Sequence, residues 1–158
     1  MNYLTTPEFY YCLQLLLALS LGLILGTERT FAGRTAGMRT YALVSMGSCL
    51  LIVMSNNVIA SAASSLDPDP LRLAAGIVTG IGFLGAGIII FKEGDSKITG
   101  LTTAAGLWVA CAIGMAVGYS LYTIAIFGTI LTILSFSVLW HVEMGIKRIS
   151  EKAHKGIE

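Results

Sequence analysis

Charge is the scarcest property of this sequence: ten basic and nine acidic side chains among 158 residues, 12%, about half of what a soluble domain carries. Four stretches have none, residues 9–27, 40–66, 73–91 and 98–142, with lengths of 19, 27, 19 and 45. No Lys or Arg precedes the first of them, where Glu8 is the one charge. A cleaved secretory leader would need a basic start, so the first stretch is expected to stay in the mature protein. Histidine occurs twice, as His141 and His154, too sparsely for a zinc site. Cys12, Cys49 and Cys111 stand singly, without the CxxC spacing of a redox or metal motif. No Gly-rich loop runs into Lys-Ser/Thr, which removes the phosphate cradle of an ATPase. Gly80-Ile81-Gly82-Phe83-Leu84-Gly85 spells GxGxxG, but inside an apolar run and not at a strand-to-helix turn, so it is no dinucleotide fingerprint. These absences exclude a soluble enzyme, a nucleic-acid binder and a disulfide-stapled secreted domain. No catalytic group and no cofactor are expected.

Apolar residues make up 55%, and mean hydropathy is +0.80. A membrane-crossing helix takes roughly 20 mostly apolar residues. Each of the first three uncharged stretches holds one span, and the fourth holds two joined by a tight turn at Gly118-Tyr119-Ser120. The expected fold is all-α and polytopic: a five-helix transmembrane domain over residues 1–142 and a short basic tail over 143–158. Arg29, Arg34 and Arg39, then Lys92 and Lys97, then Lys147, Arg148, Lys152 and Lys155 fall on one side of such a chain, leaving Arg72 alone on the other. The positive-inside rule then puts the N-terminus outside and the C-terminus in the cytoplasm.

Small residues four apart let helices approach closely in lipid. Gly22 and Gly26 with Ala18 form such a ridge on the first span, Gly76 and Gly80 on the third, and Gly106, Ala110, Gly114 and Gly118 on the fourth. They are expected to seat helices, within the chain or between copies in a homo-oligomer. The third span also carries Gly82, Gly85 and Gly87, a density that would permit local unwinding and a translocation or binding site. The polar candidates lie at the span ends. Glu28 is the one acid near Arg29, Arg34 and Arg39 and is expected to pair with one of them, either pinning the first hairpin or forming a docking or gating surface. Arg72 is either an interfacial anchor or a functional group. Thr99, Thr102 and Thr103 are placed to cap the fourth helix or to offer ligands at its positive end.

Four blocks carry a resemblance: Gly26-x-Glu28-Arg29; Ala36-Gly37-Met38-Arg39-Thr40-x-x-Leu43-Val44; Arg72-x-x-Ala75-x-Ile77-Val78-x-Gly80-Ile81-Gly82-Phe83-Leu84-Gly85-Ala86-Gly87; and Gly100-Leu101-Thr102-Thr103-Ala104-Ala105-x-Leu107-Trp108. In this order and spacing the chain, from about residue 10 to 140, resembles the MgtC/SapB membrane family. Gly76 departs from it, since the family commonly has Gln there. The 16 residues after Val142 are also too few for the ACT-like C-terminal domain of many members. The resemblance implies a multi-pass protein of the bacterial inner membrane, active in adaptation to low magnesium and, in pathogens, in survival inside macrophages. The partners it implies are membrane proteins, an F-type ATP synthase or a transporter among them. Two functions follow as expectations. One is a non-enzymatic modulator of membrane complexes working by helix contact. The other is a transporter or channel for magnesium, phosphate or another ion, built on the Gly-rich third helix.

Overall fold

In the computed structural model, which describes residues 7–61, 69–91 and 98–155, the chain forms five helices. They are α1 (Pro7–Phe31), α2 (Met38–Ser61), α3 (Pro70–Ile88), α4 (Leu101–Gly118) and α5 (Tyr122–Lys155). All five are long and apolar enough to cross a membrane. The shortest, α4 with 18 residues, rises about 27 Å, close to the hydrocarbon thickness. Asp67, Lys92, Lys97 and the last three residues lie outside the described residues.

Local chemistry sets the helix ends. After α1, Arg34 N–H donates to the Arg29 carbonyl and Gly33 N–H to that of Thr30. This paired closure needs a left-handed residue just past the helix, and Gly33 supplies it with φ +64°. The same pattern ends α4, with Leu121 N–H on Ala116 and Ser120 N–H on Val117. Here Ser120 takes the left-handed position at φ 62°, and α5 begins at Tyr122. Asp69 caps α3 by accepting from Leu71 N–H at 2.9 Å, with Pro70 following it. The cap of α4 differs from expectation. It is Gly100, without a side-chain cap bond, because its left-handed φ of +93° and the Ile88 carbonyl leave no room for a Cβ. Just before it, Ile90–Phe91 and Ile98–Thr99 pair as a two-residue antiparallel ladder.

The centre is a sandwich of α1, α2 and α4. On α2, Ser45 is enclosed on both sides. A Cβ at Gly22 of α1 would stand 2.8 Å from the Ser45 Cβ, and one at Gly114 of α4 would overlap the Ser45 carbonyl. One turn on, Gly118 meets Ile52 and Cys49, while Gly106 meets Tyr41 and Phe136. Gly26 stands against the start of α2 at Met38. Tyr41, Leu25, Ile52, Leu107 and Val117 fill the core. Ser48 donates to the Val44 carbonyl at 2.6 Å and approaches Cys111 Sγ at 3.2 Å.

The expected seam on α3 is not made within the chain. The helix is continuous rather than broken. It leans on the body through Ile77, Ile81, Gly85 and Ile88, a stripe at helical spacing. Gly85 is 3.6 Å from the Ala104 Cβ, but Gly76, Gly80, Gly82 and Gly87 meet nothing within 4 Å. Phe83, 82% exposed, points outward with them. α5 runs on through residue 142 to Lys155 as one 34-residue helix.

The α1–α2 hairpin is tied by Thr30. Its hydroxyl donates to the Gly26 carbonyl at 2.9 Å and accepts from Met38 N–H at 3.1 Å, capping α2 from the preceding helix. Thr30→Val keeps the shape and removes both bonds. It should lower unfolding free energy in mixed micelles by about 1 kcal/mol, with the loss read as a shift in denaturation midpoint.

Candidate functional site

The polar candidates converge where α1 ends and α4 begins. Arg29, in the last turn of α1, is 3% exposed. Its Nε donates to Glu28 Oε2, and the two form an ion pair with Glu28 partly exposed. The guanidinium carbon lies 3.6 Å from the ring centroid of Phe136 on α5, a cation–π contact that holds the plane against the ring. Among the described residues the bond to Glu28 is the guanidinium's one hydrogen bond.

Two cavities open on either side of this contact. The first, about 580 Å³, lies between α1 and α5 and is lined by Ile24, Glu28, Arg29, Phe31, Ile133 and Trp140 among others. The second, about 460 Å³, lies between α4 and α5 and includes Arg29, Arg34, Thr102, Gly106, Phe136 and Trp140. Arg29, Arg34, Phe136 and Trp140 belong to both. Arg29 and Phe136 thus form a strut that joins α5 to the body where the helices otherwise part.

Of the candidates, Glu28, Arg29, Thr102 and Thr103 are brought to this end. Thr102 is exposed on the second cavity, while Thr103 is buried and its carbonyl accepts from the Tyr41 hydroxyl at 3.3 Å. Arg39 is exposed in the first turn of α2 and lines neither cavity. Arg72 is exposed in the first turn of α3, at the far end of the bundle. Sequence reasoning passed over Phe136 and Tyr41, because an aromatic residue near a span end reads as a lipid-interface residue. It also passed over Gln14, the one carboxamide in residues 9–27. Gln14 is 3% exposed and donates to the Val117 carbonyl at 2.9 Å and to Ser120 Oγ at 3.2 Å, tying α1 to the end of α4. Beside it the Tyr10 and Tyr122 hydroxyls touch. Among the described residues no three His, Cys, Asp or Glu side chains gather to hold a metal.

A model of the MgtC family matches residues 15–144, from within α1 into α5. This chain belongs to the MgtC family. The MgtC match takes in α2, α3 and α4 whole and most of α1 and α5, including Arg29, Thr103 and Phe136. Among curated relatives, the "Putative magnesium transporter YhiD" of Escherichia coli (strain K12) is 43% identical over 135 residues, 84% of this chain and 61% of its own length. "Protein SapB" of Bacillus subtilis is 35% identical over 144 residues, 89% of this chain and 62% of its own. "Protein MgtC" of Brucella abortus is 47% identical over 116 residues, 73% and 45%. The chain therefore spans about three fifths or less of these MgtC-family proteins. No solved structure matches it. Five apolar helices and this family make it a multi-pass membrane protein.

Proposed function

We propose that this chain is a non-enzymatic protein of the bacterial inner membrane that serves adaptation to low magnesium by binding a transmembrane helix of another membrane complex. Its N-terminus faces outward and its C-terminus the cytoplasm, as the basic residues indicate. The observation that carries the reading is the groove between α2 and α3. It encloses about 430 Å³ and is lined by Val44, Gly47, Ser48, Gly76, Gly80 and Leu84 among others. No atom lies within 4 Å of a Cβ placed on Gly47, Gly76 or Gly80. The small residues of α1 and α4 are used up by contacts inside the chain, whereas these remain open to side chains from a neighbouring helix. An ATP synthase or a transporter, which the family resemblance implies, would supply such a helix.

Gly80→Leu tests this. The substitution fills the groove without touching the chain's own core, so insertion and thermal stability should stay at wild-type level. Photocrosslinking from position 84 to a partner in native membranes should fall roughly tenfold, as expected for an overpacked contact. Unchanged crosslinking would sink the reading.

The second reading is ion transport, favoured by the name of the Escherichia coli relative and by the arginine-lined cavities. Flux of magnesium or phosphate through sealed liposomes holding only this chain would establish it and displace the first.

A further inference from the structure

We propose that the cleft around Arg29 binds the phosphate group of an anionic phospholipid. An arginine side chain carries five N–H donors. Arg29 is 3% exposed, yet among the described residues only its Nε has an acceptor, on Glu28. Neither Nη atom is a buried atom without a partner, and Arg29 lines both cavities, so the N–H groups that have no protein acceptor are reached from the cavity space. Glu28 at one edge and Phe136 across one face fix the plane of the guanidinium and leave its Nη fork for a ligand. A planar fork of two N–H groups matches two oxygens of a phosphate.

The charge balance favours an anion. Glu28 offsets one of the two arginines, and Arg34, exposed on both cavities, adds the unbalanced positive charge. The hydroxyls of Thr102 and Ser135 line the second cavity and extend the polar floor. The walls identify the rest of the ligand. Ile24, Phe31 and Ile133 form an apolar side against α1 and α5, with Trp140 at its rim. A fully hydrated phosphate gains nothing from such walls, but an acyl chain does. The cleft sits at the last turn of α1, whose span ends at Phe31. Tryptophan favours that depth, and basic pockets between helices bind anionic headgroups there.

The test uses the purified full chain in neutral detergent. The sequence has two tryptophans, so Trp108→Phe, at an exposed site on α4 away from the cleft, leaves Trp140 as the reporter. Titration with dioleoylphosphatidylglycerol should give a saturable shift of Trp140 emission, and dioleoylphosphatidylcholine, whose choline would stand against arginine, should give much less. Inorganic phosphate should neither produce the shift nor compete with it. Arg29→Lys, which keeps the charge and loses the fork, should weaken the response roughly tenfold or more. Arg34→Ala, at an exposed turn position where folding is not at stake, should weaken it severalfold. Equal responses to the two lipids, or an Arg34→Ala chain that binds phosphatidylglycerol as tightly as wild type, would overturn the proposal. Saturation by inorganic phosphate with no lipid preference would overturn the lipid assignment and leave a soluble-anion site.

Discussion

Gly114→Leu is expected to abolish the native bundle. A Cβ at this position would overlap the Ser45 carbonyl and stand 2.9 Å from the Ser45 Cα. The obstruction is backbone, so no rotamer change relieves it, and α4 would have to move off α2. That motion also withdraws Gly118 from Ile52, Cys111 from Ser48 and the Val117 carbonyl from Gln14. Overpacking a core that can adjust costs about 1–3 kcal/mol. A rigid clash between the two central helices should exceed ~3 kcal/mol, a large share of the 5–15 kcal/mol that holds a typical domain together. The measurements are the yield of monodisperse protein from membranes and its thermal midpoint in detergent. Both should collapse for Gly114→Leu and stay unchanged for Gly80→Leu, whose site is open. A Gly114→Leu chain with wild-type yield and midpoint would show that α2 and α4 do not touch at Ser45.

The contrast between these two glycines marks the limit of what the sequence discloses. The spans themselves were legible because bilayer thickness sets a length and hydrocarbon excludes charge. The uncharged stretch 9–27 lies on α1, the stretches 40–66 and 73–91 overlap α2 and α3, and the stretch 98–142 overlaps α4 and α5. Gly76 and Gly80 share their four-residue spacing with Gly114 and Gly118, so spacing alone assigns all of them to helix contacts. Which face each helix turns inward depends on its neighbours. Ile77, Ile81, Gly85 and Ile88 dock α3 on the body and leave Gly76 and Gly80 outside. The turn expected at Gly118-Tyr119-Ser120 is where α4 ends, and Ser120 takes there a left-handed conformation usually left to Gly or Asn.

At the candidate site, charge was legible and partnership was not. Glu28 and Arg29 stand out because acids and bases are rare here. Phe136 is more than a hundred residues away, on a helix that looks uniformly apolar, and only the fold brings its ring over the guanidinium. Burial of Arg29 follows from that contact. Taken from the sequence alone, an arginine at a span end would be placed with its head in water.

Arg29→Leu is therefore expected to lower stability by about 2–3 kcal/mol. Removing one member of a buried ion pair costs about 3–5 kcal/mol, because the other charge is left uncompensated. Glu28 keeps 23% of its side-chain surface exposed, and water there softens the penalty toward the lower figure or below it. Loss of the cation–π contact to Phe136 adds to it, while the leucine recovers part through apolar contact with Ile133 and Trp140 across the cleft. The diagnostic comparison is the double variant Glu28→Gln/Arg29→Leu. If the stranded carboxylate is the main cost, neutralising it should restore about 1 kcal/mol, so the double variant should be more stable than Arg29→Leu alone. Denaturation midpoints in mixed micelles decide between the two causes. A double variant less stable than Arg29→Leu would mean that the strut to Phe136, rather than charge compensation, is what α5 loses.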